Sequence, residues 1–285
     1  MKKFLPVTEL ARDDRFTWIP EGERFKDPRN GRAGNEGQST GNVQRAPKMT
    51  KSSNDAPERS RSLMHGIFMG EVQALEAAGR TCWDFPTGDG EADAPFALKL
   101  DMARQCWDES RHVEISVKLS DWMGTELGEF AEGRGLYQAG CNPDPALRLT
   151  AVNRGIEGLA IDVFANMKAY GQDCGDPVME FCEDWMLADE VTHVKMGSDW
   201  LRRLTANDPE RQKRALEFQR LVDKVFSAAG RSGDTEGARA YRKLAGFTDE
   251  DIDAAHESLD AEADKAARRR LVEGSLPPKP LVPTE

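Results

Sequence analysis

The sequence lacks most of the features that would mark a membrane, nucleic-acid or disulfide-stapled protein. No apolar run approaches the roughly 18 residues that a transmembrane helix needs, and the mean hydropathy is -0.64. Basic residues are outnumbered, 39 Lys and Arg against 50 Asp and Glu, for a net charge of -11. Phosphate contacts want the opposite sign, so nucleic acid is not the expected partner. The five cysteines include no C-x-x-C pair, which points to a reducing cytoplasm and no disulfide framework. The opening "MKKFLPVTELARDD" has no apolar stretch of secretory-signal length. Histidine is scarcer still, at four residues. With so few, where they fall becomes informative.

Residues 1–54 are rich in Gly, Asn, Ser and charge and show no helical period, so they read as an extended or partly disordered arm. Phe4, Leu5, Phe16, Trp18 and Ile19 are the residues able to pin it to a globular body. From residue 55 on, helix start signals recur. Asp55, Asp93, Asp144, Asp176 and Asp208 each stand just before a proline. Asp accepts from the free N–H groups of a first helical turn, and Pro lacks the N–H that would be orphaned there. "TDED" at 248–251 reads as a capping box. Apolar residues at three- and four-residue spacing fill the intervals. Helices are expected at about 56–82, 94–127, 144–170 and 177–205, with shorter ones at roughly 208–229, 234–245 and 249–271. No strand pattern competes. The expected fold is all-α: an antiparallel four-helix bundle over 55–206, accessory helices over 207–272 and an extended tail over 273–285. Trp83, Trp107, Trp122, Trp185 and Trp200 are expected in the core.

Four glutamates lie at matched depth in the four long helices. Glu71 is 14 residues past Pro57, Glu109 is 14 past Pro95, Glu157 is 12 past Pro145 and Glu190 is 13 past Pro177. At about 1.5 Å per residue, each is roughly 18–21 Å into its helix. An antiparallel bundle then brings all four to one layer. Two of these glutamates belong to a repeated Glu-x-x-His tetrad, "ESRH" at 109–112 and "EVTH" at 190–193, each preceded by Asp. His112 and His193 follow Glu109 and Glu190 by three residues and share their faces. One Glu from each of two helices and Glu-x-x-His from each of the other two is the ligand set of di-iron and di-manganese bundles. Four carboxylates balance two divalent ions, and one imidazole per ion leaves coordination positions for O₂. The candidate metal ligands, catalytic through the metals, are therefore Glu71, Glu109, His112, Glu157, Glu190 and His193. Glu76 is the substitute for Glu71, while Glu114 and Asp162 read as solvent-facing or supporting residues.

These residues resemble the ferritin-like di-iron carboxylate superfamily over about 56–205. The doubled D-E-x-x-H wording is similar to that of the bacterial multicomponent monooxygenase hydroxylases. "GEVQALE" and "EGLAID" look closer to small ferritin-like families near the tRNA hydroxylases. The resemblance implies that Asp108 and Asp189 hydrogen-bond to the metal-bound histidines. Arg111 matches the hydroxylase pattern, and Thr192 in the second tetrad departs from it.

The function expected is a di-iron, O₂-activating hydroxylase or N-oxygenase acting on a small organic substrate, with Mn/Fe or Mn₂ as metal alternatives. A catalase-like or peroxide-consuming protein and a non-catalytic helical interaction protein are the rivals. No flavin or iron–sulfur motif is present, so an external reductase or ferredoxin is implied; a homodimer is left open. Phe68, Ile161, Phe164 and Met186 lie about a turn from ligands and are expected to wall a pocket. Gly155 and Gly158, flanking Glu157, mean either room for substrate or close helix packing.

Overall fold

The computed structural model describes residues 58–125, 128–130, 135–227, 236–255 and 266. The expected N-terminal arm and C-terminal tail lie outside these residues, as does most of the last expected helix. Among the described residues the chain is all-α, with no strand beyond an isolated bridge between Thr87 and Ala94. Helix α1 runs Glu58–Asp84, α2 Phe96–Trp122, and the short α3 Gly135–Ala139. A further helix starts as α4, Pro145–Leu149, widens into a π-helical segment, Thr150–Ile156, and continues as α5, Glu157–Cys174. Helix α6 spans Pro177–Leu204, α7 Pro209–Ser227, α8 Glu236–Leu244 and α9 Asp249–Ala255.

The start signals work as local chemistry predicts at most of these helices. Asp144 accepts from the amide of Ala146 at 2.8 Å, and Asp176 from those of Val178 and Met179, both at 3.1 Å. Asp208 accepts from Arg211 N at 2.8 Å. Thr248 and Asp251 exchange hydrogen bonds, so the capping box is formed. Asp93 is the exception. Its carboxylate accepts from Gly90 N in the preceding turn, and α2 begins at Pro95 without a side-chain cap. Helix α2 also stops at Trp122, five residues short of expectation, where Gly124 turns the chain at φ +72°. The short α3 and the π-helical segment were not foreseen.

Cross-helix contacts fix the directions. From Asp101 to Asp108 to His112 on α2 the chain advances seven and then four residues. Their partners Trp200, His193 and Asp189 on α6 step back by the same intervals. The two tetrad helices are therefore antiparallel and in register at the tetrads. Helix α1 runs antiparallel to α2, with Cys82 against Lys99 O and Glu71 against His112. Helix α5 runs antiparallel to α6, with Lys168 on Asp184 and Gln172 on Glu180.

Three apolar clusters hold the helices together. The largest joins Leu63, Met64 and Ile67 of α1 to Ile161 and Phe164 of α5 and Met179 and Met186 of α6. Burying such side chains is worth on the order of 1.5–3 kcal/mol each. Trp200 is in the core at 4% exposure, but Trp83, Trp107, Trp122 and Trp185 are 42–66% exposed, contrary to expectation. For Trp107 and Trp122 the reason lies in α2. Its buried face is occupied by Gln105, Asp108, Glu109, His112, Ser116 and Ser120, so its tryptophans fall on other faces. Gly155 and Gly158 prove to be packing residues. A Cβ at Gly155 would meet Val222 at 3.1 Å, and one at Gly158 would meet Phe247 at 3.2 Å.

Candidate metal centre

All four glutamates and both tetrad histidines arrive at one buried layer, each 7% exposed or less. Their ligand atoms form two overlapping groups, each within 4.8 Å of one another. Glu71, Glu109, His112 and Glu190 make one, and Glu109, Glu157, Glu190 and His193 make the other. Glu109 and Glu190 are shared, which is where carboxylates bridging two ions would stand. Glu71 with His112 and Glu157 with His193 close the two ends. Glu76 is half-buried and outside both groups. Glu114 is exposed and bonded to Lys118, and Asp162 is held by both Nε and Nη2 of Arg242.

The histidine orientations carry chemical information. Nδ1 of His112 lies 3.1 Å from Glu71, 3.2 Å from Glu109 and 3.2 Å from Glu190. Nδ1 of His193 lies 3.2 Å from Glu109 and 3.3 Å from Glu190. Each Nδ1 can carry a single proton, yet faces two or three carboxylates. Glu109 Oε2 and Glu190 Oε1 are buried without any hydrogen bond, although Nδ1 of His112 lies 3.2 Å from each. Each Nε2 points the other way, His112 to Asp189 at 3.3 Å and His193 to Asp108 at 3.4 Å. Outer carboxylates of this kind fix a ring so that its other nitrogen faces inward. Arg111 ties the outer acids together, donating to both Asp108 and Asp189.

Buried charge explains the proton affinities. Burial pushes the Glu71 carboxyl up to about 8 against the pull of His112. Burial, then the charges of Glu190 and Glu109, push Glu157 well above the usual carboxylate range. Burial also acts to raise Glu109, but the charge of His193 and the closeness of both imidazoles hold it below its ordinary value. Burial disfavours a charged His112, yet the acceptors Asp189, Glu109, Glu190 and Glu71 raise its affinity for a proton. His193 is raised likewise, against burial, by Glu190, Glu109 and Asp108. Crowding of buried acids and imidazoles thus shifts their proton affinities in opposite directions within one layer.

With the geometry in hand, the chain can be placed among known proteins. The family described as protein of unknown function DUF455 matches residues 3–253. The chain belongs to that family. No curated protein and no solved structure matches it. In this DUF455 protein two further buried side chains support the layer. Gln105 Nε2 donates to Glu109 at 3.1 Å and to Glu157 at 2.9 Å, and its Oε1 accepts from Asn153 Nδ2 at 2.7 Å. Neither was singled out from the sequence, although each stands one turn before a glutamate of the layer. Asn153 lies in the π-helical segment, where Gly197 lets α6 approach: a Cβ there would come within 2.5 Å of Asn153. Of the expected pocket residues, Ile161, Phe164 and Met186 are in the apolar cluster, with Phe164 edge-on to His112 at 6.4 Å. Phe68 is half-buried and pairs instead with His65 at 6.2 Å.

Proposed function

We propose that this chain is a ferritin-like di-iron oxidoreductase that activates O₂ to oxidise a small organic molecule. The observation that carries the reading is the pair of four-ligand groups sharing Glu109 and Glu190. The donor set fits two divalent cations: four carboxylates supply the balancing charge, and two imidazoles turn Nδ1 inward. Glu71 and His112 would hold one ion, Glu157 and His193 the other, with Glu109 and Glu190 between them. Bound iron would supply the electrons and the O₂-binding positions that no side chain here provides.

The remaining work falls to the protein. Asp108 and Asp189 keep the proton on Nε2 of His193 and His112, leaving each Nδ1 free to bind. Arg111 neutralises the two acids and holds them at a fixed separation. Gln105 steadies the carboxylates of Glu109 and Glu157 through one amide. Ile161, Phe164 and Met186 exclude water on the α5–α6 side. Oxidising substrate by turnover needs electrons from outside, so a reductase or ferredoxin is the partner proposed.

The test is O₂ uptake by protein loaded with Fe(II) under anaerobic conditions. Uptake of about one O₂ per two irons supports the reading, with Glu109→Ala abolishing it. Uptake no faster than that of free Fe(II) overturns it. Turnover of hydrogen peroxide by Mn-loaded protein would favour the catalase-like alternative.

A further inference from the structure

About two helical turns from the metal layer lies a second buried acid. Glu183 on α6 is fully buried, and neither of its carboxylate oxygens has a hydrogen-bond partner. It stands seven residues before Glu190, roughly 10 Å along the helix axis. The α2–α6 register continues to this level: six residues past His112 on α2 face six before Asp189 on α6. Glu183 therefore falls between the levels of Ser116 and Ser120 of α2. Both hydroxyls are buried, at 0% and 1% exposure, and both lack partners too. Three unpartnered polar groups at one level of a packed bundle are an exception to the rule that buried polar atoms are satisfied.

The surroundings are unusual in a matching way. The apolar cluster at this end of the bundle contains Met64, Met123, Met167, Met179 and Met186, half of the chain's 10 methionines. Met179 and Met186 flank Glu183 by about one turn on either side. Methionine is flexible and polarizable, and walls built from it yield to a guest. The second cluster has no methionine, and the third has a single fully buried one, Met102.

We infer that this layer is the polar end of the substrate chamber and takes the ammonium group of an aliphatic primary amine. An ammonium offers three N–H donors. Glu183, Ser116 and Ser120 offer three acceptors, and the Glu183 carboxyl, giving up its proton as the ammonium binds, supplies the counter-charge. Glu71 adds negative potential from the metal layer, and His112 opposes it. The hydrocarbon part of the guest lies among the methionines and runs toward the metals, which places an internal carbon rather than the nitrogen at the oxidising end. The inference rests on the function proposed above, since it names the substrate class of the same centre.

The test uses the full chain and two probes of equal length, n-hexylamine and n-hexanol, titrated calorimetrically at neutral pH. The expected result is that the amine binds about tenfold or more tightly than the alcohol, as a charge-assisted hydrogen bond would give. Glu183→Gln should erase that preference while leaving alcohol binding unchanged, and Glu183→Asp should restore part of it. Equal binding of the two probes, or no binding of either, overturns the inference without need of any variant. So does an amine preference that survives Glu183→Gln in a helical, folded protein, because the ammonium would then be held by some other group. Metal content of the same samples keeps the two readings apart. Two metals per chain with no amine preference overturns the chamber alone. A Glu183-dependent preference in a chain that takes up no metal upholds the amine site and overturns the oxidase reading.

Discussion

Two layers of the same bundle bury acids in opposite ways. In the metal layer every glutamate lies among imidazoles, a glutamine or other carboxylates, and Nδ1 of each histidine is within 3.3 Å of at least two of the acids. Two turns along, Glu183 is buried with no hydrogen-bond partner, flanked along α6 by the buried Met179 and Met186. Burial alone costs a carboxylate several kcal/mol in either place. In the first layer, histidine protons offset that cost and cations would offset it better. In the second, burial pushes the acid up to about 8, and Glu71 adds to the rise while His112 opposes it. Within the crowded layer the imidazoles hold Glu109 below its ordinary value, whereas Glu71 and the solitary Glu183 are both pushed up by burial. The comparison teaches that pairing, not the number of buried charges, sets what a site is prepared to bind.

The largest effect is expected from the shared ligands. Glu109→Gln keeps the shape and removes one bridging charge. Metal content by plasma mass spectrometry should fall from about two per chain to one or fewer, whereas Glu183→Gln should leave it at two. Equal loss in both variants would erase the distinction between the layers.

The second effect is the share of the pH dependence that Glu183 supplies, which the comparison of variant with parent isolates from that of the other buried acids. Folded Glu183 holds its proton up to about pH 8, against an ordinary value of 4.5. Across that window the native state keeps a proton that the unfolded chain has released, so stability falls as pH rises. Glu183→Gln removes this slope. Compared with the parent by urea unfolding without metal, it should gain on the order of 3 kcal/mol between pH 5 and pH 8. A constant difference between the two proteins across that range would show that the acid is already paired.

A smaller effect is expected at the outer acids. Asp189→Asn removes the carboxylate that His112 Nε2 faces. Metal affinity should drop by about 10–100-fold, with the fold intact by circular dichroism. Thr192→Arg, which places Arg in the second tetrad where the first has Arg111, should change affinity by less than that. Thr192 is half-buried, and its hydroxyl donates to Ala188 O, away from the acids.

How far the sequence could be read follows from what kind of order each feature obeys. Helix starts are local, so the acids before prolines marked α4, α6 and α7 within a residue or so. Depth along a helix is linear, so counting from those starts placed Glu109, Glu157 and Glu190 in one layer with Glu71. Facing is harder. Trp107 and Trp122 were assigned to the core because tryptophan usually belongs there, but polar site residues had taken much of the inward face of their helix. The π-helical segment leaves no compositional trace, and it sets the position of Asn153 and so of Gln105. Glu183 stayed hidden for a different reason: an isolated glutamate on a helix looks solvated until its neighbours are known. The expected arm and tail lie outside the described residues.

The central claim is that six side chains form a cage for two cations. The most direct measurement loads the full chain with Fe(II) under anaerobic conditions, removes loosely held metal and counts what remains alongside a Mössbauer spectrum. The account predicts about two irons per chain, spin-coupled to each other after exposure to O₂. Fewer than one iron per chain, or irons that behave independently, would contradict it.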